Sequence, residues 1–310
     1  MKTSVLPTRT VGYSFQRTAV LKLSKPAVCP LHAIATQSLM REEVSSTMGY
    51  ENVIYEIKGD TLAQVTINRP AVLNAIDLAS MVELKALLLE IAANPHLRAI
   101  VITGTGEKSF IAGADKEEIK RHAEDEERGK AFEEISRETF NLIDALDRPS
   151  ICAINGHAFG LGVQLALACT FRIASANARF ALPEINMGFF PSMGATQRLT
   201  RLVGEAKTLE LILCGGTIDA AEAHRIGLVH RVVPQTEFST FVERFAQSLS
   251  EKSPVAIRLA MDAVRKGKTM SLQDGLAYEA KLSEACLKSE DSKEGRLAFA
   301  ERRKPNFKGR

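Results

Sequence analysis

The chain has 310 residues, 45% hydrophobic and 25% charged, with a formal charge of +3. That is an ordinary globular composition, and no apolar run is long enough to span a bilayer. The five cysteines (Cys29, Cys152, Cys169, Cys214, Cys286) include no Cys-x-x-Cys pair, which argues for a reducing compartment and against a metal site.

Residues 1–41 carry Lys2, Arg9, Arg17, Lys22, Lys25 and Arg41 and no acidic residue, with frequent Ser and Thr. Such N-termini read as mitochondrial transit peptides. Residues 1–47 are therefore expected to be absent from, or disordered in, the mature protein. Two other readings stay open: Met48 as the true start, which would leave a cytoplasmic protein, and a weak peroxisomal signal that Pro26 interrupts. Without those six basic residues the formal charge becomes −3. No basic stripe with interleaved aromatics is present, so a nucleic-acid partner finds no support.

Val53–Ile57 and Leu62–Ile67 alternate around Gly59-Asp60 and predict a hairpin that Pro70 ends. Leu78–Ala93 has apolar residues at helical spacing, and Ala99–Ile102 is a strand leading into Gly104-Thr105-Gly106. Glu117–Arg128 is charge-rich and predicts a solvated surface helix or loop. A second helix is expected over Ala131–Leu146, then a buried strand over Ile151–Ile154 behind Pro149. Asn155-Gly156 turns the chain, Gly160-Leu161-Gly162 follows, and a small-residue helix runs over Val163–Ala168. Short strands are expected at Phe171–Ala174 and Arg179–Leu182, with Pro183-Glu184 in a loop. Further helices are expected at Ser192–Val203, Glu205–Leu213 and Ala220–Arg225, and a last strand at Leu228–Val233. The remainder reads as helical: Glu237–Leu249, Pro254–Arg265, Leu272–Lys288 and Ser292–Arg303. Strands alternating with helices, then helices alone, predict an α/β core over residues 48–250 and a helical region over 251–310.

Two glycine turns carry the chemistry. A strand, a glycine turn and a helix start in Ser150–Thr170 aim free backbone N–H groups outward, where negative charge is favoured. A tight turn with glycines for sterics alone is the bland alternative. Phe110-Ile111-Ala112-Gly113-Ala114-Asp115 also follows a strand and a glycine turn. Two such turns can each lend one N–H to a shared point, the geometry of an oxyanion hole for a carbonyl that becomes an enolate. Taken with Asn68-Arg69-Pro70, Leu73-Asn74-Ala75, Pro183-Glu184 and Thr196-Gln197-Arg198-Leu199, the chain from Asn52 onward resembles the enoyl-CoA hydratase/isomerase (crotonase) family.

That resemblance implies a crotonase-like ββα superhelix with a helical C-terminal trimerisation region, and a homotrimer or hexamer. It implies an acyl-CoA substrate, with coenzyme A arriving as part of it, no separate cofactor and no metal. The oxyanion donors carried over are Ala114 N–H and Leu161 N–H, each typically worth about 3 kcal/mol. Leu161 stands where glycine is usual, keeps the donor and narrows the space above it. Of the two family glutamates, one matches Glu184; the other falls on Gln164, which hydrogen-bonds but carries no proton near neutral pH. Double-bond isomerisation or slow hydration is favoured on that ground, with a fully active hydratase, or a catalytically quiet CoA- or RNA-binding protein, as the alternatives. Ala75, Ala112, Asp115, Gly160, Phe299 and Arg302 match positions that contact substrate or CoA in relatives. Asp115 also suits a helix cap, Arg302 a solvated helix end, and His157, at the variable position of its turn, is not expected to be catalytic.

Overall fold

The computed structural model describes residues 49–310, so the leader reading and the alternative start at Met48 fall outside it. Val53–Lys58 (β1) and Leu62–Ile67 (β2) form the expected antiparallel hairpin. Leu78–Ala93 (α1) has the predicted bounds, and Asp77 caps it by accepting from Ser80 N–H at 2.8 Å. Ala99–Gly104 (β3) and Ser109–Ile111 (β4) follow, then Lys116–Glu124 (α2) and Glu126–Ala145 (α3). Ser150–Ile154 (β5), His157–Phe159 (β6) and Leu161–Ala168 (α4) make the next unit. Phe171–Ser175 (β7) and Arg179–Ala181 (β8) lead to a 3-10 turn at Pro183–Met187. Ala195–Val203 (α5), Glu205–Cys214 (α6), Thr217–Asp219 (β9), Ala220–Arg225 (α7) and Arg231–Val233 (β10) complete the core. Gln235–Ser250 (α8), Pro254–Gly267 (α9), Leu272–Lys288 (α10) and Glu290–Ala300 (α11) close the chain.

The strands form two sheets, β1-β2-β3-β5-β7-β10 and β4-β6-β8-β9. Each successive pair, β3/β4, β5/β6 and β7/β8, gives one strand to each sheet in the same order, so the chain winds as a superhelix. The central strands are apolar on both faces because both are covered. Ile100 and Ile102 join the core shared with α1, α3 and α4, while Ala99 and Val101 pack with Phe238, Val242 and Ala246 of α8.

Several readings are corrected; α3, for one, begins at Glu126 rather than Ala131. The charge-rich stretch is not simply a solvated face, because Glu118 on α2 is buried. The last strand begins at Arg231 rather than Leu228: Arg172 Nε takes the Leu228 carbonyl at 2.8 Å, and His230 N–H donates to the Arg172 carbonyl at 2.8 Å. The helix expected from Ser192 begins at Ala195, behind Gly194 in the left-handed region. Among the described residues, no helix is long and apolar enough to cross a membrane.

Candidate active site

The two glycine turns end neighbouring strands. β4 and β6 pair in parallel, Ser109 opposite His157 and Ile111 opposite Ala158. The chain leaves β4 through Gly113 (φ 114°) and β6 through Gly160 (φ 50°), conformations that favour glycine. A Cβ placed on Gly160 would lie 3.8 Å from Gly113 Cα, so the turns touch. Ile76 N–H donates to the Gly113 carbonyl at 2.9 Å, and Asp115 N–H donates to the Ile76 carbonyl at 2.8 Å. This bridge uses the residues flanking Ala114, which turns the Ala114 N–H away from Ile76. Leu161 is the first residue of α4, where an amide has no partner within the helix. Neither N–H meets a backbone acceptor among the described residues. The Leu161 side chain belongs to the main core cluster, so its bulk is taken up by packing.

Every residue of α4 is buried, and Gln164 is its one polar side chain, 3% exposed. A buried amide must find partners. Gln164 Nε2 donates to Glu184 Oε1 at 2.9 Å, and Gln164 Oε1 accepts from Met193 N–H at 2.8 Å. Glu184, 6% exposed, is the second residue of the 3-10 turn after β8. The two strand ends are tied by Gly160 N–H donating to the Ala181 carbonyl at 2.9 Å. A Cβ on Gly160 would stand 3.1 Å from Glu184 Oε1, so carboxylate and glycine turn are in contact. Glu184 Oε2 is buried with no hydrogen-bond partner. Burial pushes the Glu184 carboxyl above its ordinary value of 4.5, and it outweighs the opposing pull of Glu184's own backbone amide and the Gln164 side chain. A buried carboxyl raised in this way is fitted to proton transfer nearer neutral pH.

The surrounding residues build the frame. Asp115 caps α2 by accepting from Glu117 N–H at 2.9 Å and pairs with Arg69 Nη1 at 2.9 Å. That commits its carboxylate to structure. Arg69 also pairs with Asp77 at 2.9 Å and donates to the Ala75 carbonyl. Ala112 N–H donates to the Leu73 carbonyl at 3.2 Å, holding the Ala75 and Ala112 segments together. Glu118, missed in the sequence because it lies in a run of charges, receives Arg128 Nε at 2.7 Å, Arg128 Nη2 at 2.9 Å and Leu78 N–H at 3.3 Å. It thereby locks α2, α3 and the start of α1 behind the Ala114 turn. His157 stacks on Phe159 with ring centroids 5.3 Å apart. Phe299 and Arg302 are not brought to this site within the single chain. Phe299 is 87% exposed on α11, which packs on α9 and α10. Arg302 (φ 54°) is the left-handed residue that ends α11.

A family model described as enoyl-CoA hydratase/isomerase matches residues 58–310. The chain belongs to the enoyl-CoA hydratase/isomerase family. It is thus an enzyme of that family, with the crotonase fold. It is 39% identical over 260 residues to crotonyl-CoA hydratase of Syntrophomonas wolfei, covering 84% of this chain and 99% of that one. It is 40% identical over 264 residues to short-chain-enoyl-CoA hydratase of Clostridium acetobutylicum, covering 85% and 100%. The crystal structure of enoyl-CoA hydratase from Bacillus anthracis superposes with a TM-score of 0.81 at 36% identity, covering 84% of this chain and all of that one.

Proposed function

We propose that this enzyme shifts the double bond of a 3-enoyl-CoA thioester to the 2-position, with hydration of 2-enoyl-CoA slow. The observation that carries this is the Gln164–Glu184 pair, in which one carboxylate has a free buried oxygen and its partner is an amide without a transferable proton. Glu184 removes a proton from C2, and the thioester carbonyl takes up the charge as an enolate. The Ala114 and Leu161 N–H groups stabilise that oxygen, and Glu184 returns the proton to C4. No atoms are gained or lost, so one base suffices. Hydration must deliver both a hydroxide equivalent to Cβ and a proton to Cα, which two acid/base groups do better than one. Coenzyme A enters as part of the substrate, and no separate cofactor or metal is needed.

The fully active hydratase is the second reading, favoured by the names of the two relatives above. A quiet binding protein is disfavoured by the free oxygen on a buried carboxyl. The mitochondrial leader read in residues 1–41 gains no support from these relatives, which are bacterial. The deciding experiment assays purified protein on 2-enoyl- and 3-enoyl-CoA. Faster turnover of the 3-enoyl ester supports the proposal, and efficient hydration with no isomerisation overturns it.

A further inference from the structure

Glutamine has two ends, and which end meets Glu184 decides what it does. The Oε1 end is fixed by Met193 N–H, which can only donate, so the amide cannot flip without leaving that N–H facing its own NH2 group. The NH2 end is therefore presented to Glu184 Oε1. Gly160 lies against the same oxygen, where a Cβ would stand 3.1 Å away, and the second oxygen, Oε2, is left unpartnered. We infer that Gln164 is a positioning residue, anchored by the Met193 amide, that holds Glu184 by Oε1 and so makes Oε2 the oxygen that carries the proton. This rests on the reading of Glu184 as the proton carrier.

The relay has a physical consequence beyond packing. A donor to a carboxylate favours its ionised form, so Gln164 keeps a buried acid basic enough to begin the reaction. Burial, Glu184's own backbone and Gln164 act on this carboxyl, with Gly160 of the preceding turn beside it, and among the described residues no charged side chain shifts it. Without the amide, burial acts on the carboxyl with less opposition, and the carboxyl is free to rotate.

The test is Gln164→Leu, with Gln164→Met as the second variant should the first not fold. The readouts are the pH profile of kcat/KM on a 3-enoyl-CoA, together with kcat and KM separately. The expected result is KM within about twofold of wild type, kcat lower by about tenfold or more, and an acid limb moved up by about one pH unit. A variant that folds and loses activity with the acid limb unmoved shows Gln164 to be a packing residue and overturns the inference. Glu184→Gln is run in parallel to keep the two claims apart. If it retains wild-type turnover, the reading of Glu184 fails; if it is inactive while the Gln164 variants keep the wild-type limb, only the present inference fails.

Discussion

Burial raises the Glu184 carboxyl and so costs stability. The folded chain holds this proton to a higher pH than the unfolded chain does, because desolvation raises the carboxyl above 4.5. The cost is therefore absent below pH 4.5, grows between 4.5 and the raised value, and is complete above it. Glu184→Gln should lower turnover by about 10²–10⁴-fold while still binding CoA esters, since the oxyanion donors are backbone. The same variant should melt above wild type near neutral pH, with the difference vanishing below pH 4.5; a constant difference across pH would count against the burial argument. Gln164→Glu places a second carboxylate against Glu184 Oε1, and two like charges raise one of the two pKa values. The ratio of 2-enoyl hydration to 3-enoyl isomerisation should rise, and an unchanged ratio would remove Gln164 from the reaction. The residue types and their order were legible in the sequence. The amide's orientation was not, because it depends on Met193, 29 positions away, whose contribution is a backbone N–H.

At the scale of elements, periodicity set the bounds of two long helices but started the longest, α3, at Ala131 instead of Glu126, because its first turn is charged. Leu78–Ala93 and Leu272–Lys288 have the bounds read from their apolar spacing. It failed for β4, β6 and β9, three residues each, too short to show any period. Two of those strands lead into the glycine turns, so the sequence revealed the turns but not the sheet that aligns them. Gly160→Ala tests that alignment: the new Cβ meets both an unfavourable φ and Glu184 Oε1 at 3.1 Å. Activity should fall by at least about 100-fold, with a lower Tm; wild-type kinetics would mean that the turn tolerates a side chain. The α2–α3 corner is held differently. Burial would raise the Glu118 carboxyl, but Arg128, Leu78 N–H and His122 together hold it below its usual range. Its stabilisation is present above pH 4.5 and fades as pH falls through the lowered value. Arg128→Leu should thus lower Tm near neutrality, with the gap to wild type closing on acidification. A gap independent of pH would assign Arg128 a role other than pairing Glu118.

For the molecule as a whole, the C-terminal tail is strapped to the core. Buried Asp291 accepts from Ser253 Oγ at 2.8 Å, Lys308 N–H at 2.7 Å and Gly309 N–H at 3.0 Å, and Arg98 Nη2 donates to the Phe307 carbonyl at 2.7 Å. Much of the apolar surface of the helices before that strap stays uncovered. α10 has no buried residue, and Leu272, Leu276, Leu287, Leu297 and Phe299 are exposed. These exposed apolar side chains on α10 and α11 are expected to be covered by further copies of the chain. Sedimentation at micromolar concentration should give three or six times the chain mass, and the mass of one chain would refute it. The superhelix has a last consequence. Ala114 and Leu161 lie in the turns that follow the paired strands β4 and β6, so it is backbone pairing that brings those turns together. On the proposed reading, an exchange such as glutamine for glutamate at 164 alters the proton carriers and leaves these backbone donors in place.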